Sequence, residues 1–158
     1  MIFVTIGTSL PFDRLIRAVD ALAPGWPGEE FFAQIGDGAY EPRNMRFVRM
    51  LSAADYAGRI EASRLIVAHA GMGSLITAID ACKPIVVMPR RLVFDEINTD
   101  HQAATAKRWI GRRGVHVAMQ ESDLAAAVCE AMAASAAGTA IKPTDGFVEK
   151  LTAFIESC

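Results

Sequence analysis

The chain has few cysteines and little net charge, and each shortage excludes a class of function. Its three cysteines, Cys82, Cys129 and Cys158, are widely spaced and form no Cys-x-x-Cys pair. An odd number of separated cysteines indicates neither a disulfide framework nor a zinc ribbon. The formal net charge of −2 provides no basic field of the kind that nucleic acid requires. We therefore expect no nucleic acid among the partners of this protein.

Long apolar runs and a basic leader are also missing. Residues 1–7 are largely apolar, but they are too few for the hydrophobic region of a signal peptide or for a membrane span. We interpret this run as a buried strand and expect the protein to be cytoplasmic. A length of 158 residues fits a single domain, 1–158, with one sizeable core.

Short apolar runs alternate with longer stretches of helical period, which is typical of βαβ units and a mainly parallel sheet. The predicted strands are residues 2–6, 31–35, 46–48, 65–68, 85–88 and 115–119. The predicted helices are residues 12–22, 53–62, 74–81, 101–111, 123–134 and 146–156. Ser52, three residues before Asp55, matches a capping pattern for the second helix. The expected fold is a Rossmann-like α/β domain with about six strands and helices on both faces of the sheet.

Loops that follow the strands are the expected ligand sites, because open parallel sheets bind ligands at the carboxyl ends of their strands. The loop after the first strand begins with Gly7 and Thr8, where a tight turn allows backbone amides to face an anion. A loop of this kind also occurs for packing reasons alone. It therefore indicates an anion site only together with other loops.

The segment 69–74, His-Ala-Gly-Met-Gly-Ser, joins the fourth predicted strand to a helix. Its two glycines let the backbone approach a ligand, and the helix start presents unpaired N–H donors with a partial positive charge. No Gly-Lys-Ser/Thr follows, and Ile76 replaces the third glycine of the dinucleotide fingerprint, so both of those phosphate motifs are excluded. A structural alternative stays open: the glycines only close a tight β–α connection, and His69 is a half-buried ring with satisfied hydrogen bonds.

The loop after the fifth predicted strand carries side chains suited to phosphate and to sugar. Arginine meets phosphate bidentately, and carboxylates, amides and imidazoles bind hydroxyls. The residues concerned are Arg90, Arg91, Glu96, Asn98, Asp100, His101 and Gln102. The alternative is a solvated charged loop in which Asp100 only caps the next helix. The three histidines form no ligand-spaced cluster and no Gly-x-Ser-x-Gly elbow occurs, so neither a metal site nor a serine triad is expected.

These residues resemble the C-terminal domain of family 28 glycosyltransferases, and more closely its free-standing single-domain relatives. The resemblance rests on the His-Ala-Gly-x-Gly-Ser turn at 69–74, on Lys83-Pro84 before an apolar strand, on His101-Gln102 and on Val-Thr-Ile-Gly-Thr at 4–8. It covers about the first two thirds of the chain. It implies the donor-binding half of a GT-B glycosyltransferase. The loop 90–102 is most similar to bacterial PssE-type exopolysaccharide subunits, which are related to the small subunit of the dolichol-linked N-acetylglucosaminyltransferase.

The resemblance also implies which residues bind the donor. They are Gly7, Thr8, Met50, His69, Ala70, Gly71, Met72, Gly73, Ser74, Thr77, Arg90, Arg91, Glu96, Asn98, Asp100, His101 and Gln102. Residues 69–74 would hold the diphosphate, 49–51 would lie near the uracil, and His101 with Gln102 would face the sugar. Thr77 departs from the family, because many members carry an acidic residue there that grips the ribose; Asp80 is a possible substitute. No catalytic residue is assigned to this chain, and no metal or cofactor is implied.

A GT-B enzyme needs a second half, and a chain of this length is not expected to contain it. The resemblance implies a hexosyltransferase that binds a UDP-sugar and acts only with a membrane-anchored subunit. That subunit would bind a lipid-linked acceptor in polysaccharide biosynthesis, supply the general base and recruit the chain to the inner face of the cytoplasmic membrane. Two alternatives stay open: a non-catalytic module that stabilises or recruits such a partner, and a nucleotide-sugar epimerase, which would need a longer chain. Self-association of the isolated chain is a further expectation.

Overall fold

The computed structural model describes residues 1–136, which form a six-stranded sheet with helices on both faces. The strands are β1 (Ile2–Thr5), β2 (Phe31–Gln34), β3 (Arg46–Val48), β4 (Leu65–His69), β5 (Ile85–Met88) and β6 (Val115–Val117). The helices are α1 (Asp13–Leu22), α2 (Ala53–Ala62), α3 (Met72–Asp80), α4 (His101–Trp109) and α5 (Leu124–Ala136). Short 3-10 turns occur at Ala23–Gly25, Leu92–Phe94 and Glu121–Asp123. The predicted Rossmann-like α/β fold is confirmed, whereas the helix predicted at 146–156 lies outside the described residues.

The strand order is β3-β2-β1-β4-β5-β6, and every neighbouring pair is parallel. The chain builds one half of the sheet outward from β1 and then returns to build the other half from β4. Loops that leave β1 and β4 therefore diverge, and a crevice opens between them at the carboxyl edge of the sheet. This topology places the loop that begins at Gly7 beside the loop that follows His69.

Two apolar clusters cover the two faces of the sheet. Because successive strand residues point to opposite faces, Ile2 and Val4 of β1 pack with α1 and α5, whereas Phe3 packs with α2, α3 and α4. The continuous apolar runs of β1, β4 and β5 thus reflect strands that are buried on both faces. The rigid sheet fixes the ends of β1 and β4, and hence the width of the crevice.

Helix α3 begins at Met72, two residues earlier than predicted. The prediction assigned both glycines of the 69–74 segment to the turn before the helix, but one glycine is sufficient to form that turn. Gly71 alone adopts the extended N-cap conformation, with φ −87° and ψ 143°. Gly73 consequently lies inside the first helical turn. The connection from β4 shortens to two residues, and the open end of the helix reaches the carboxyl edge of the sheet.

The remaining differences concern the ends of elements. Strand β6 stops two residues short of its predicted end, because the amides of Met119 and Gln120 bind the Asp123 carboxylate at 3.1 and 3.2 Å. Helix α4 stops two residues short because Gly111 has a φ of +77°, which ends the helix. The predicted cap of α2 is confirmed, since Ser52 Oγ accepts the backbone N–H of Asp55 at 3.1 Å.

Candidate functional site

The imidazole of His69, the last residue of β4, lies between two glycines at the crevice. Gly7 has a φ of +76°, and a Cβ at this position would lie 2.8 Å from His69 Cε1. A Cβ on Gly71 would overlap His69 Nε2. Both glycines are therefore required for close packing against the ring, and Gly7 is also required by its backbone conformation.

His69 is neutral at pH 7. Burial of the ring, together with the positive charge of Arg90, lowers the pKa of His69 to about 4. A neutral imidazole carries one N–H donor and one acceptor nitrogen. Its Nδ1 lies 3.5 Å from Ser74 Oγ, and its Nε2 lies over Gly71, the N-cap of α3. The ring can therefore offer one hydrogen bond at the crevice without placing a cation there.

Helix α3 starts at the crevice with no side chain capping it. The first bond within this helix runs from the N–H of Leu75 to the carbonyl of Gly71 at 3.2 Å. Amides that precede Leu75 lack an intrahelical acceptor, because no turn lies before them. Apart from its chain neighbours and the backbone of its own helix, no atom of residues 1–136 lies within 4 Å of the position that a Cβ on Gly73 would occupy. The helix thus presents unused donors beside open space, which suits an anion.

The other residues predicted in this part of the chain have varied environments. Ala70 is buried and its N–H donates to the Met88 carbonyl at 3.1 Å, so this amide belongs to the sheet and is not available to a phosphate. Met72 is exposed on the first turn, whereas Thr77 is half-buried one turn further along α3. Asp80 is exposed at the last position of the helix. The amides suited to an anion are therefore those of residues 71–74.

Gln34, to which the sequence analysis gives no role, connects two of the predicted donor loops. It is buried at the end of β2, where its Nε2 donates to the Gly7 carbonyl at 3.0 Å. Its Oε1 accepts the N–H of Leu51 at 3.2 Å. The neighbouring Met50, predicted to lie near the base, is 50% exposed. The sequence could have indicated this role, because Gln34 is a single amide at the end of an apolar strand and a buried amide needs hydrogen-bond partners.

Arg90 follows β5, and its guanidinium is buried against the loop between β1 and α1. Nη2 donates to the carbonyls of Ile6 and Leu10 at 2.8 and 2.5 Å, and Nε donates to the carbonyl of Pro11 at 3.4 Å. The backbone N–H of Arg90 donates to Gln102 Oε1 at 3.1 Å. Both residues were expected to contact a donor directly. The contacts observed for the Arg90 guanidinium and for Gln102 Oε1 are with the protein itself.

Glu96, which was expected to bind sugar hydroxyls, is paired with Arg14 of α1. Its two oxygens each lie 2.8 Å from a guanidinium nitrogen, and Oε2 also accepts the N–H of Arg91 at 3.0 Å. Arg14 donates in addition to the Pro89 carbonyl at 2.9 Å and to the Glu121 carboxylate at 3.1 Å. These bonds hold the loop after β5 onto α1. Both oxygens of the Glu96 carboxylate are thus bound by the protein itself. The sequence of the loop could not reveal this pairing, because Arg14 lies on a helix far away along the chain.

Besides Met50 and Met72, the exposed side chains of the predicted set are Thr8, Asn98, Asp100 and His101. Asp100 occupies the N-cap position of α4 but makes no capping bond. Its Oδ1 instead accepts the N–H of Leu92 at 3.0 Å and lies 3.5 Å from Arg91 Nε. Nδ1 of His101 lies 2.5 Å from Thr99 Oγ1. Asp100 thus stands at the N-cap position that the alternative gave it, but its carboxylate binds the turn at Leu92 and does not cap the helix.

The three histidines lie in separate elements: at the end of β4, at the start of α4 and in β6. Among residues 1–136, no three His, Cys, Asp or Glu side chains lie together as a metal ion would need. None of the helices in the same range combines the length and the apolar character needed to cross a membrane.

A parallel sheet in this order, with a glycine-lined crevice at the point where the order reverses, defines a Rossmann-like domain of the kind found as the C-terminal half of GT-B glycosyltransferases. The family model for the glycosyltransferase family 28 C-terminal domain matches residues 1–145. The chain belongs to this family. A comparison with curated proteins gives no match.

Solved structures with the same fold include three glycosyltransferases. The glycotransferase of kitacinnamycin has a TM-score of 0.59 and 20% identity, covering 87% of this chain and 37% of its own. CalG4, the calicheamicin glycosyltransferase, has a TM-score of 0.59 and 18% identity, with coverages of 85% and 35%. MurG of Acinetobacter baumannii has a TM-score of 0.57 and 21% identity, with coverages of 82% and 40%. The chain thus spans well under half the length of each of these proteins.

Proposed function

We propose that this domain binds the diphosphate of a nucleotide-sugar in the crevice between β1 and β4. The observation that carries the proposal is the uncapped start of α3, which opens onto free space at Gly73 beside a neutral imidazole. A diphosphate is a compact anion with many acceptor oxygens, and amides at a helix start with the positive end of the helix dipole match it. Membership of glycosyltransferase family 28 supports a nucleotide-sugar as the carrier of that diphosphate.

The donor in this proposal is a UDP-sugar. The uracil lies near residues 49–51, which Gln34 joins to the Gly7 loop, and the sugar lies towards His101 and Gln102. Because Oε1 of Gln102 already accepts the amide of Arg90, its Nε2 is the atom that donates to a sugar hydroxyl. Thr77 can offer only a hydroxyl to the ribose. Ribose recognition is therefore weaker in this proposal than recognition of the diphosphate.

The reaction we propose is transfer of a hexose-type sugar to a lipid-linked acceptor in polysaccharide biosynthesis, by an enzyme of two components. The domain, 1–158, binds the donor in the cytoplasm, and a membrane-anchored subunit binds the acceptor and holds the general base. Catalysis on this side comes from positioning the donor and from stabilising the departing UDP by the α3 amides.

Calorimetric titration with UDP tests the proposal. We expect saturable binding of UDP that is tighter than binding of uridine, because most of the contacts in the crevice are made to phosphate. Cytidine diphosphate and guanosine diphosphate serve as controls for recognition of the base. Absence of UDP binding, both for the chain alone and with its partner subunit added, would overturn the proposed function.

An exposed apolar turn at the same edge of the sheet supports docking of the partner. Leu92, Val93 and Phe94 are 47%, 73% and 55% exposed. The Phe94 ring lies 4.7 Å from the guanidinium of Arg14, which holds the turn in place. Three consecutive apolar side chains in contact with water are unfavourable unless another surface covers them. In our proposal the acceptor-binding subunit packs on this turn.

The substitution Val93→Asp is expected to weaken assembly with the acceptor-binding subunit by at least about tenfold, because burying a carboxylate in an apolar interface costs free energy. UDP affinity should not change. Copurification and sugar transfer measure the first effect, and calorimetry the second. Ile110→Asp, at a residue 61% exposed beyond the end of α4, is the matched control and should assemble normally. Normal assembly of the Val93 variant would exclude the turn as the docking site.

A second candidate function is a non-catalytic module that stabilises or recruits a membrane-associated glycosyltransferase. Thr77 favours it, because the residue lacks the acidic group that grips ribose. This alternative predicts assembly with the partner in the absence of any UDP binding. The two functions are therefore separated by the same titration.

A further inference from the structure

Arg90 is a buried cation that no carboxylate of residues 1–136 contacts directly. The residue is only 3% exposed, and its guanidinium donates to three neutral backbone carbonyls. Glu96 raises the pKa of Arg90, but both oxygens of that carboxylate are bound by Arg14. Burial dominates and lowers the pKa of Arg90 to about 10. The Phe12 ring, whose centroid lies 5.0 Å from the guanidinium carbon, adds a cation–π contact. Without a carboxylate partner of its own in the described part of the chain, the buried charge is still unfavourable in the unliganded protein.

The charge of Arg90 reaches the crevice although its guanidinium points elsewhere. It is one of the two causes that lower the pKa of His69, after burial of the ring. The positive potential that disfavours a protonated imidazole at this position favours an anion at the same position. The carbonyls that Arg90 binds flank Gly7, which packs against the same ring. One side chain thus acts on both the shape and the potential of the crevice.

We propose that Arg90 is a positioning residue for the donor site and that it acts without contacting the donor. Its guanidinium fixes the loop between β1 and α1, so that Gly7 stays against His69. Its charge, which the protein compensates poorly, increases the affinity of the crevice for a diphosphate. Gln102 extends this arrangement to α4, because its side chain holds the backbone of Arg90. This inference rests on the proposed function. It explains why the guanidinium of Arg90, although close to the proposed donor site, points away from it.

Two substitutions separate the two effects. Arg90→Met removes the charge and the hydrogen bonds, whereas Arg90→Lys keeps a charge but has no planar fork for three carbonyls. We expect Arg90→Met to weaken UDP binding on the order of tenfold or more, and Arg90→Lys to weaken it less. Binding of uridine should change little in either variant, because uridine lacks the diphosphate. Arg43→Met, at an exposed arginine, is the control and should bind UDP as the wild type does.

Two further measurements do not depend on UDP. An NMR titration should show the pKa of His69 rising towards its ordinary value in Arg90→Met and less so in Arg90→Lys. Amide exchange of residues 6–10 should accelerate in both variants, because the carbonyls of this loop lose their donors. Unchanged exchange and an unchanged His69 pKa would overturn the inference, as would equal losses of UDP and uridine binding. A wild-type protein that binds no UDP would instead overturn the proposed function, and these two measurements would still decide the role of Arg90.

Discussion

Replacing Gly73 with leucine should abolish UDP binding and leave the domain folded. Outside its own helical turn, a Cβ at this position meets no atom of the described residues within 4 Å, so a larger side chain has room in the free protein. The same space is where the diphosphate contacts the first turn of α3. A leucine side chain fills this space, so the diphosphate cannot reach the amides of the helix start. Gly73→Ala should produce a smaller loss, in proportion to its smaller volume.

Although Gly73→Ala should weaken UDP binding, it should make the folded domain more stable. Glycine in a helix is less favourable than alanine by about 1 kcal/mol, so Gly73→Ala should unfold at a higher denaturant concentration than the wild type. Gly58 of α2 is the matched control, because it too is exposed and has no atom within 4 Å of a Cβ. Gly58→Leu should leave UDP binding unchanged. If Gly73→Leu binds UDP like the wild type, the diphosphate does not lie at this helix start.

Removing the side chain of Arg14 should cause the largest loss of stability among the charged residues considered. Arg14 and Glu96 are only 12% and 10% exposed, and Arg14→Met leaves the Glu96 carboxylate without its bidentate partner. Breaking a buried pair from one side costs about 3–5 kcal/mol. Because the pair is not completely buried, we expect about 3 kcal/mol, measured by urea denaturation.

The pair between Arg46 and Glu30 provides the matched control. It joins the same two residue types, but its side chains are 75% and 49% exposed. Exposed pairs contribute about 0–1 kcal/mol, so Arg46→Met should change the unfolding free energy by less than about 1 kcal/mol. Adding Glu96→Gln to Arg14→Met should recover part of the loss, since the stranded charge disappears. Equal effects of the two arginine substitutions would show that Arg14 does not clamp the loop.

The sheet and the crevice could be predicted because local sequence determines them. Strands buried on both faces require continuous apolar runs, and those runs alternate with helical segments in the order that a parallel sheet needs. The crevice residues Gly7, His69 and Gly71 follow from their positions at the carboxyl ends of β1 and β4 and in the loops that leave them. The start of α3 was placed two residues late because a glycine does not reveal by itself whether it lies before a helix or inside it.

The environments of the charged residues could not be predicted in this way. Residue type shows which donors and acceptors a side chain has, but not whether a ligand, solvent or the chain itself satisfies them. Arg90 is bound by carbonyls from residues 6–11, and Glu96 by an arginine that lies 82 positions away in the sequence. Such pairings depend on the strand order. For the same reason Gln34 became relevant only when β2 was found beside β1.

The packing of His69 between two glycines restricts the order in which this site can change during evolution. An alanine at Gly71 collides with the imidazole, and one at Gly7 collides with it and also has to adopt a φ of +76°. A side chain can appear at position 71 only if the His69 ring is displaced or replaced, so a lineage that loses donor binding while keeping this packing is expected to replace His69 before Gly71. Position 7 remains restricted even after that step. A descendant that had become a pure docking module would carry a small residue at 69 before any change in the two glycines.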